Sequence, residues 1–375
     1  MRSLADVRRF AVGGLFKPAG LEQTLEMLAF VQADPIRAPA RAQDLTLRPR
    51  VVGYRSGDLE RLYSTLPVEE DVFINYGFVT RALQALMHPR NGGGLPPTAR
   101  NARARAVLAF VRERGVVHPR EVDARFAHGV VRNYWGGSSN STTFLLEAMH
   151  YKGLLRVARR EAGVRIYAIQ QHGPPPQGAS LRRARLDALV DIAVRKYAPL
   201  PSVSLTFVLR RLRYAVPQWS REIAGAVERA RRRLSRARVD GETWYWPSEA
   251  PALLDPPLDA VRLLAPFDPV VWDRQRFELL WGWAYRFEAY TPPAKRKFGY
   301  YALPLLWRDR VVGWANLAIR AGQLQAEFGY VGGTKPRERA FARELEEELE
   351  RMRLFLEPRI LAASRPSLIV GPTDD

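Results

Sequence analysis

Residues 98–172 and 180–250 carry the same succession of local signals, and few folds accommodate it. In the first stretch, a basic amphipathic segment from about Thr98 to Arg114 turns Val107, Leu108 and Val111 inward, and HPREVDARF reads as a short helix starting near His118 and Pro119. Ser and Thr then cap a third helix in SSNSTTFLLEAMHYKG that stops at Gly153, and LLRVARREAGVRIYAI reads as a hairpin turning at Glu161 to Gly163. After the spacer QQHGPPPQG the order recurs, with helices in LRRARLDALVDIAVRKY, SVSLTFVLRRLR and WSREIAGAVERARRRLSRAR, followed by WYWPS. Three helices and a hairpin are the order of a winged helix, a variant of the helix-turn-helix whose third helix normally enters a major groove.

Two further regions flank these modules. Before NGGGLPP at 91–97, apolar residues recur at helical spacing (Leu4, Val7, Phe10; Leu21, Leu25, Leu28, Ala29, Val31), which defines a winged-helix-like module over 1–90. Beyond Pro256, LLAPFDPVVWDR, FELLWGWAYRFEAY, FGYYALPLLWRD and RVVGWANLAI read as strands of an antiparallel β domain spanning 255–375. Trp281, Trp283 and Tyr285 are read as its core, and the segment from Lys335 to about Leu356 as a solvated docking helix. The expected fold is α+β, mostly α: tandem winged-helix (helix-turn-helix) motifs with a C-terminal antiparallel β domain.

Fifty-eight Lys and Arg against 39 Asp and Glu leave a formal charge of +19, which calls for a polyanionic partner. Six of the cations are lysines (Lys17, Lys152, Lys196, Lys295, Lys297, Lys335), so 52 are arginines, whose planar forks suit phosphates and base edges. Between Leu181 and Arg238, 15 basic residues face 4 acidic ones, a local balance of +11. Nucleic acid is the expected partner. A membrane surface ranks below it, because the basic residues lie within globular patterns and not on one lipid-facing helix. Candidate DNA contacts are the hairpin arginines Arg156, Arg159, Arg160 and Arg165, which a wing could insert into a minor groove, and Arg231, Arg232 and Arg233 on the third helix of the last module.

The chain has no cysteine, which excludes disulfides, thiolate zinc sites and thiol nucleophiles. The five histidines (88, 118, 128, 150, 172) form no helical ligand pair, and Gly136-Gly137-Ser138-Ser139 lacks the Lys and helix of a nucleotide loop. Neither metal nor cofactor is expected. The N-terminus lacks a signal-type apolar core, so the expected location is cytoplasmic, at the nucleoid when bound to DNA.

Chemistry can concentrate at Phe30-Val31-Gln32-Ala33-Asp34-Pro35-Ile36. There Gln32 and Asp34 are expected at a helix C-terminal corner. Two residues apart on a helix they diverge by about 200°, and Pro35 could break the turn so that they converge. Spacing alone favours the other reading, Asp34 as a cap of the next segment with Gln32 in solvent.

With its surroundings, FVQADPIRAPARAQDLTLRPRV resembles the AlkZ and YcaQ (AlkX) winged-helix DNA glycosylase family, whose N-terminal signature is Gln, an aliphatic residue, then Gln or Asp. Gln32-Ala33-Asp34 is the YcaQ-like form. LLAPFDPVVWDRQR, YRFEAYTPPAKRKFGYYALPLL and VVGWANLAI extend the resemblance over nearly the whole chain. It implies a glycosylase acting on damaged double-stranded DNA that removes alkylated purines or unhooks interstrand crosslinks, with Asp34 as catalytic carboxylate, Gln32 as its partner, and Arg37, Arg41 and Arg48 as nearby DNA contacts; a monofunctional hydrolase is expected from the residues of the motif. An amine nucleophile for a lyase step is missing from the motif, the nearest lysine in sequence being Lys17. The chain departs from the pattern at Ala33 and Pro35, at Gln43-Asp44 where the family has His-His, at Phe73-Ile74-Asn75-Tyr76, and at Gly313-Trp314-Ala315-Asn316, a strand read as packing. The alternative function is a non-catalytic winged-helix DNA-binding protein, regulatory or architectural.

Overall fold

The computed structural model describes residues 1–90, 102–126, 129–132, 138–250 and 259–363. The boundary at 91–97, the helix start at Thr98, His128, Gly136, Gly137 and residues 255–258 lie outside these. The chain is mixed α+β with antiparallel sheets and separates into two compact units. One comprises Met1–Leu21, Asp34–Asp58 and Pro251–Asp375; the other comprises Glu22–Ala33 and Leu59–Ala250. Residues 1–90 therefore contribute to both.

In the larger unit one arrangement occurs twice. Helix Ala102–Arg114, strand Val116–Val117, helices Pro119–Phe126 and Ser141–Tyr151, and the hairpin Leu155–Glu161/Val164–Ile169 follow in order, and Val116–Val117 pairs with the second hairpin strand. Helix Gly178–Tyr197, strand Leu200–Pro201, helices Ser202–Arg210 and Ile223–Arg233, and the hairpin Ser235–Val239/Glu242–Trp246 repeat it, with Leu200–Pro201 again on the second hairpin strand. Both hairpins turn through two residues of positive φ, Ala162-Gly163 (48° and 86°) and Asp240-Gly241 (50° and 82°), whose twist matches that of the strands they join. The first is the turn the sequence places there.

Another sheet of this unit carries Gln32 and corrects the expected helix corner. Helix Leu21–Leu28 ends where Ala29 adopts φ 55°, and Phe30–Gln32 is a strand paired with Tyr76–Thr80, itself paired with Val68–Val72. The run of aromatic and β-branched residues outweighs the helical spacing of the apolar positions before it. A Cβ on Gly77 would sit 2.2 Å from the Val31 carbonyl oxygen, so only glycine permits this strand pair.

In the smaller unit a four-stranded antiparallel sheet runs in the order Val261–Leu263, Leu303–Trp307, Arg310–Arg320, Gln323–Tyr330, and helix Arg339–Ala363 packs along its first strand. The text FELLWGWAYRFEAY is not a strand. Asp273 caps helix Arg274–Trp281 by accepting the Arg276 N–H, and Gly282 at φ 67° ends it, after which the chain is irregular as far as Pro292. Trp283 and Tyr285 do form core, with Phe277, Leu264, Val270 and Leu306, and Trp281 packs against them. The Arg50 guanidinium and the Asp268 carboxylate, both fully buried, pair at 2.7 and 3.0 Å, while buried Arg276 donates to the carbonyls of Pro269 and Val270. The marked Pro266-Phe267-Asp268-Pro269 text thus serves packing: a bidentate pair satisfies two charges that would be costly to bury singly.

Candidate active site

Asp34 lies in the smaller unit, just past the strand. One carboxylate oxygen accepts the backbone N–H of Ile36 at 2.9 Å, closing a local turn through Pro35, and its own N–H makes a long 3.5 Å contact with the buried Gln43 Oε1. Burial raises its pKa above the ordinary carboxylate value, against the opposing effect of the Ile36 N–H. Among the described residues no Arg, Lys or His forms an ion pair with it, in a chain with 52 arginines. Its electrostatic neighbours are instead Tyr290 and Tyr301, whose hydroxyls are pushed up by burial and then by the Asp34 charge. A half-buried carboxylate with no cation is a costly arrangement for a fold to keep, and such groups concentrate at functional sites.

Gln32 lies in the larger unit, nearly buried. Its Oε1 accepts from Asn75 Nδ2 at 2.9 Å, and Asn75 Oδ1 in turn accepts from Arg211, whose Nε also donates to the Ile74 carbonyl at 2.9 Å. Asn75 and Arg211 were missed as functional candidates in the sequence; the only signal was that Asn75 sits in a segment departing from the family pattern. Lys196 was missed as well. Its buried Nζ donates to the Phe30 carbonyl and lies 3.5 Å from that of Leu28, so a lysine from the far helix Gly178–Tyr197 meets the motif strand. The departing Gln43 and Asp44 are both buried. Asp44 accepts the Tyr54 hydroxyl at 2.7 Å, and burial raises its pKa.

The predicted DNA contacts fall into two groups. Arg48 is a correction: it is buried and forked onto Glu348 and the Leu263 carbonyl, within the smaller unit, where it cannot reach a phosphate. Arg156, Arg160 and Arg165, on the hairpin Leu155–Glu161/Val164–Ile169, are partly exposed and each is engaged with carboxylates. Arg156 forks onto Glu69, Arg160 onto Glu70, and Arg165 packs 4.5 Å from the Tyr76 ring centre beside Glu70 and Glu147. Arg159 is exposed and, among the described residues, pairs with Glu161. Arg233 ties its helix to Asp191 and Asp187, Arg231 holds Glu228 and the Thr206 hydroxyl, and Arg232 is exposed. Arg37 is exposed, and Arg41 is half-buried at the start of helix Ala42–Leu47. Among the described residues no cluster of His, Asp and Glu could hold a metal ion, and no helix is long and apolar enough to cross a membrane.

The class of protein to which this fold and candidate site belong is given by the comparisons with known proteins. The model of the DNA glycosylase AlkZ-like family matches residues 25–355, and the chain belongs to that family. Among solved structures, the Streptomyces sahachiroi DNA glycosylase AlkZ has the same fold, with a TM-score of 0.58 at 15% identity over 95% of this chain and 97% of that one.

Proposed function

We propose that the protein is a monofunctional DNA glycosylase that hydrolyses the N-glycosidic bond of alkylated purines in duplex DNA, with mustard-type interstrand crosslinks as a second substrate class. The observation that carries this reading is Asp34, a half-buried carboxylate without a cationic partner in a chain of +19. N-alkylation puts positive charge on the base, so the base leaves readily, and catalysis needs negative charge beside the sugar as it becomes oxocarbenium-like. Asp34 supplies that charge and acts as base: the water oxygen bonds to C1′, its proton passes to the carboxylate, and the electrons of the broken C–N bond neutralise the departing base. Gln32, two residues back, is the partner for the water or the lesion nucleotide, with its Oε1 occupied by Asn75 and its Nε2 left to donate. No lyase step is included, because Lys196 is engaged with main-chain carbonyls.

The two helix–strand–helix–helix–hairpin arrangements support a reading as tandem winged helices. Phosphate contacts then fall to the exposed or half-exposed Arg37, Arg41, Arg159, Arg231 and Arg232. The test is incubation of the protein with duplexes carrying N7-alkylguanine, N3-alkyladenine or a mustard crosslink, followed by alkaline cleavage of abasic sites and, separately, borohydride trapping. Cleavage at a lesion without a trapped adduct supports the proposal; tight duplex binding with no cleavage at any lesion would leave a DNA-binding protein without chemistry.

A further inference from the structure

Within the smaller unit a cavity of about 390 Å³, in the size range of small-molecule sites, is lined among others by Phe16, Val51, Arg262, Arg351, Leu354 and Phe355. Strand alternation builds one wall: Val261 and Leu263 are buried on one face of strand Val261–Leu263, so Arg262 projects from the other. Helix Arg339–Ala363 builds a second, because Glu348, Arg351 and Phe355 recur along it at helical spacing.

Arg48, Arg50, Arg262 and Arg351 all line this cavity, and the two buried carboxylates beside them are already taken. Glu348 accepts Arg48, the Arg351 Nε at 3.1 Å and the Leu263 N–H at 2.7 Å. Asp268 accepts both terminal nitrogens of Arg50 and the Val270 N–H at 3.0 Å. Arg262 is left over. Among the described residues it makes no hydrogen bond or ion pair of its own, and its Cζ lies 4.7 Å from the Phe16 ring centre. Stacking on a ring covers the face of a guanidinium and leaves its in-plane N–H groups free to donate. Burial, opposed by Glu348 and reinforced by Arg351, Arg50 and Arg48, brings the Arg262 pKa down to about 10. A partly buried cation so placed costs free energy until an anion enters. The walls around it are apolar, with Phe16, Val51 and Phe355 all buried. An inorganic anion gains nothing from such walls, whereas a carboxylate on an aromatic or branched body gains from both the walls and the charge.

We infer that this cavity binds a small organic carboxylate, its charged end forked by the Arg262 guanidinium and its apolar body set against Phe16, Val51, Leu354 and Phe355. The inference is independent of the glycosylase reading. The full chain is titrated calorimetrically with benzoate, its neutral isostere benzamide and inorganic phosphate, in low-chloride buffer at neutral pH, as wild type, Arg262→Gln and Arg262→Lys. The expected result is saturable binding of benzoate, roughly tenfold tighter than of benzamide or phosphate. Arg262→Gln brings benzoate down to the level of benzamide, and Arg262→Lys, which keeps the charge without the fork, retains part of the preference. Without ligand, Arg262→Gln is expected to melt no lower than wild type, since no partner is orphaned; a clear drop would mean that the cation is already compensated, and overturns the inference. Absence of saturable benzoate binding, benzamide or phosphate binding as tightly as benzoate, or full affinity in Arg262→Gln overturns it as well. Displacement of benzoate by an undamaged duplex would overturn it by making Arg262 a phosphate contact.

Discussion

At the scale of single residues, Asp34 and Gln32 are two polar side chains held in different ways. Asp34 has only a backbone N–H against burial, so its pKa stands above the ordinary carboxylate value. Because the ionised form is the reactive one, single-turnover base release is expected to fall with acid along a limb whose midpoint lies above the free-carboxyl range; a midpoint at or below that range contradicts the assigned environment. Gln32 depends on a relay from Arg211 through Asn75. Asn75→Ala frees the amide to rotate, and release is expected to slow by about ten- to a hundredfold with the melting temperature little changed, as read from kinetics and thermal denaturation on one preparation. The sequence placed Gln32 and Asp34 side by side but not their surroundings, because Asn75, Arg211, Tyr290 and Tyr301 lie far along the chain and reach their places only through the tertiary fold.

Between residue and molecule stand the elements, where reading from sequence succeeded and failed for identifiable reasons. The hairpin at Ala162-Gly163 was legible because a glycine between two alternating strands is a local signal that tertiary contacts do not override. The segment Phe30–Gln32 was misread because apolar helical spacing runs on past Leu28 and only Ala29 in the left-handed region breaks it, a conformation that alanine does not advertise. The ion pairs of the basic hairpin were not legible, because charge counting does not see which carboxylates fold underneath: Glu69 and Glu70 hold Arg156 and Arg160. Arg50 and Asp268 make the same point, since a family-marking motif turned out to be a buried ion pair. Asp268→Asn leaves the Arg50 charge uncompensated and is expected to cost about 3 to 5 kcal/mol, read from urea unfolding. A loss under about 1 kcal/mol would mean the pair is not buried as described.

At the level of the whole molecule, titration of buried groups sets the response to acid. Burial holds His88 and His150 below the ordinary histidine value, and burial, then the stacked His88, brings His172 down to about 4. The unfolded chain therefore binds more protons than the folded one between pH 6.5 and about 4, and stability is lost as pH falls through that window. Asp71, where Arg90 and His88 outweigh the effect of burial and hold the pKa down, extends the loss to lower pH, while the raised Asp34 and Asp44 act in the opposite sense. Scanning calorimetry at neutral and mildly acidic pH is expected to show a falling melting temperature, and His172→Gln a shallower fall; a flat profile contradicts these assignments. The central claim, that a carboxylate at Asp34 performs the chemistry, is tested most directly by single-turnover release of N7-methylguanine from a duplex by wild type and Asp34→Asn, with binding of the same duplex measured in parallel. The account predicts a loss of release of at least about a hundredfold with binding nearly unchanged, and release that persists in Asp34→Asn would contradict it.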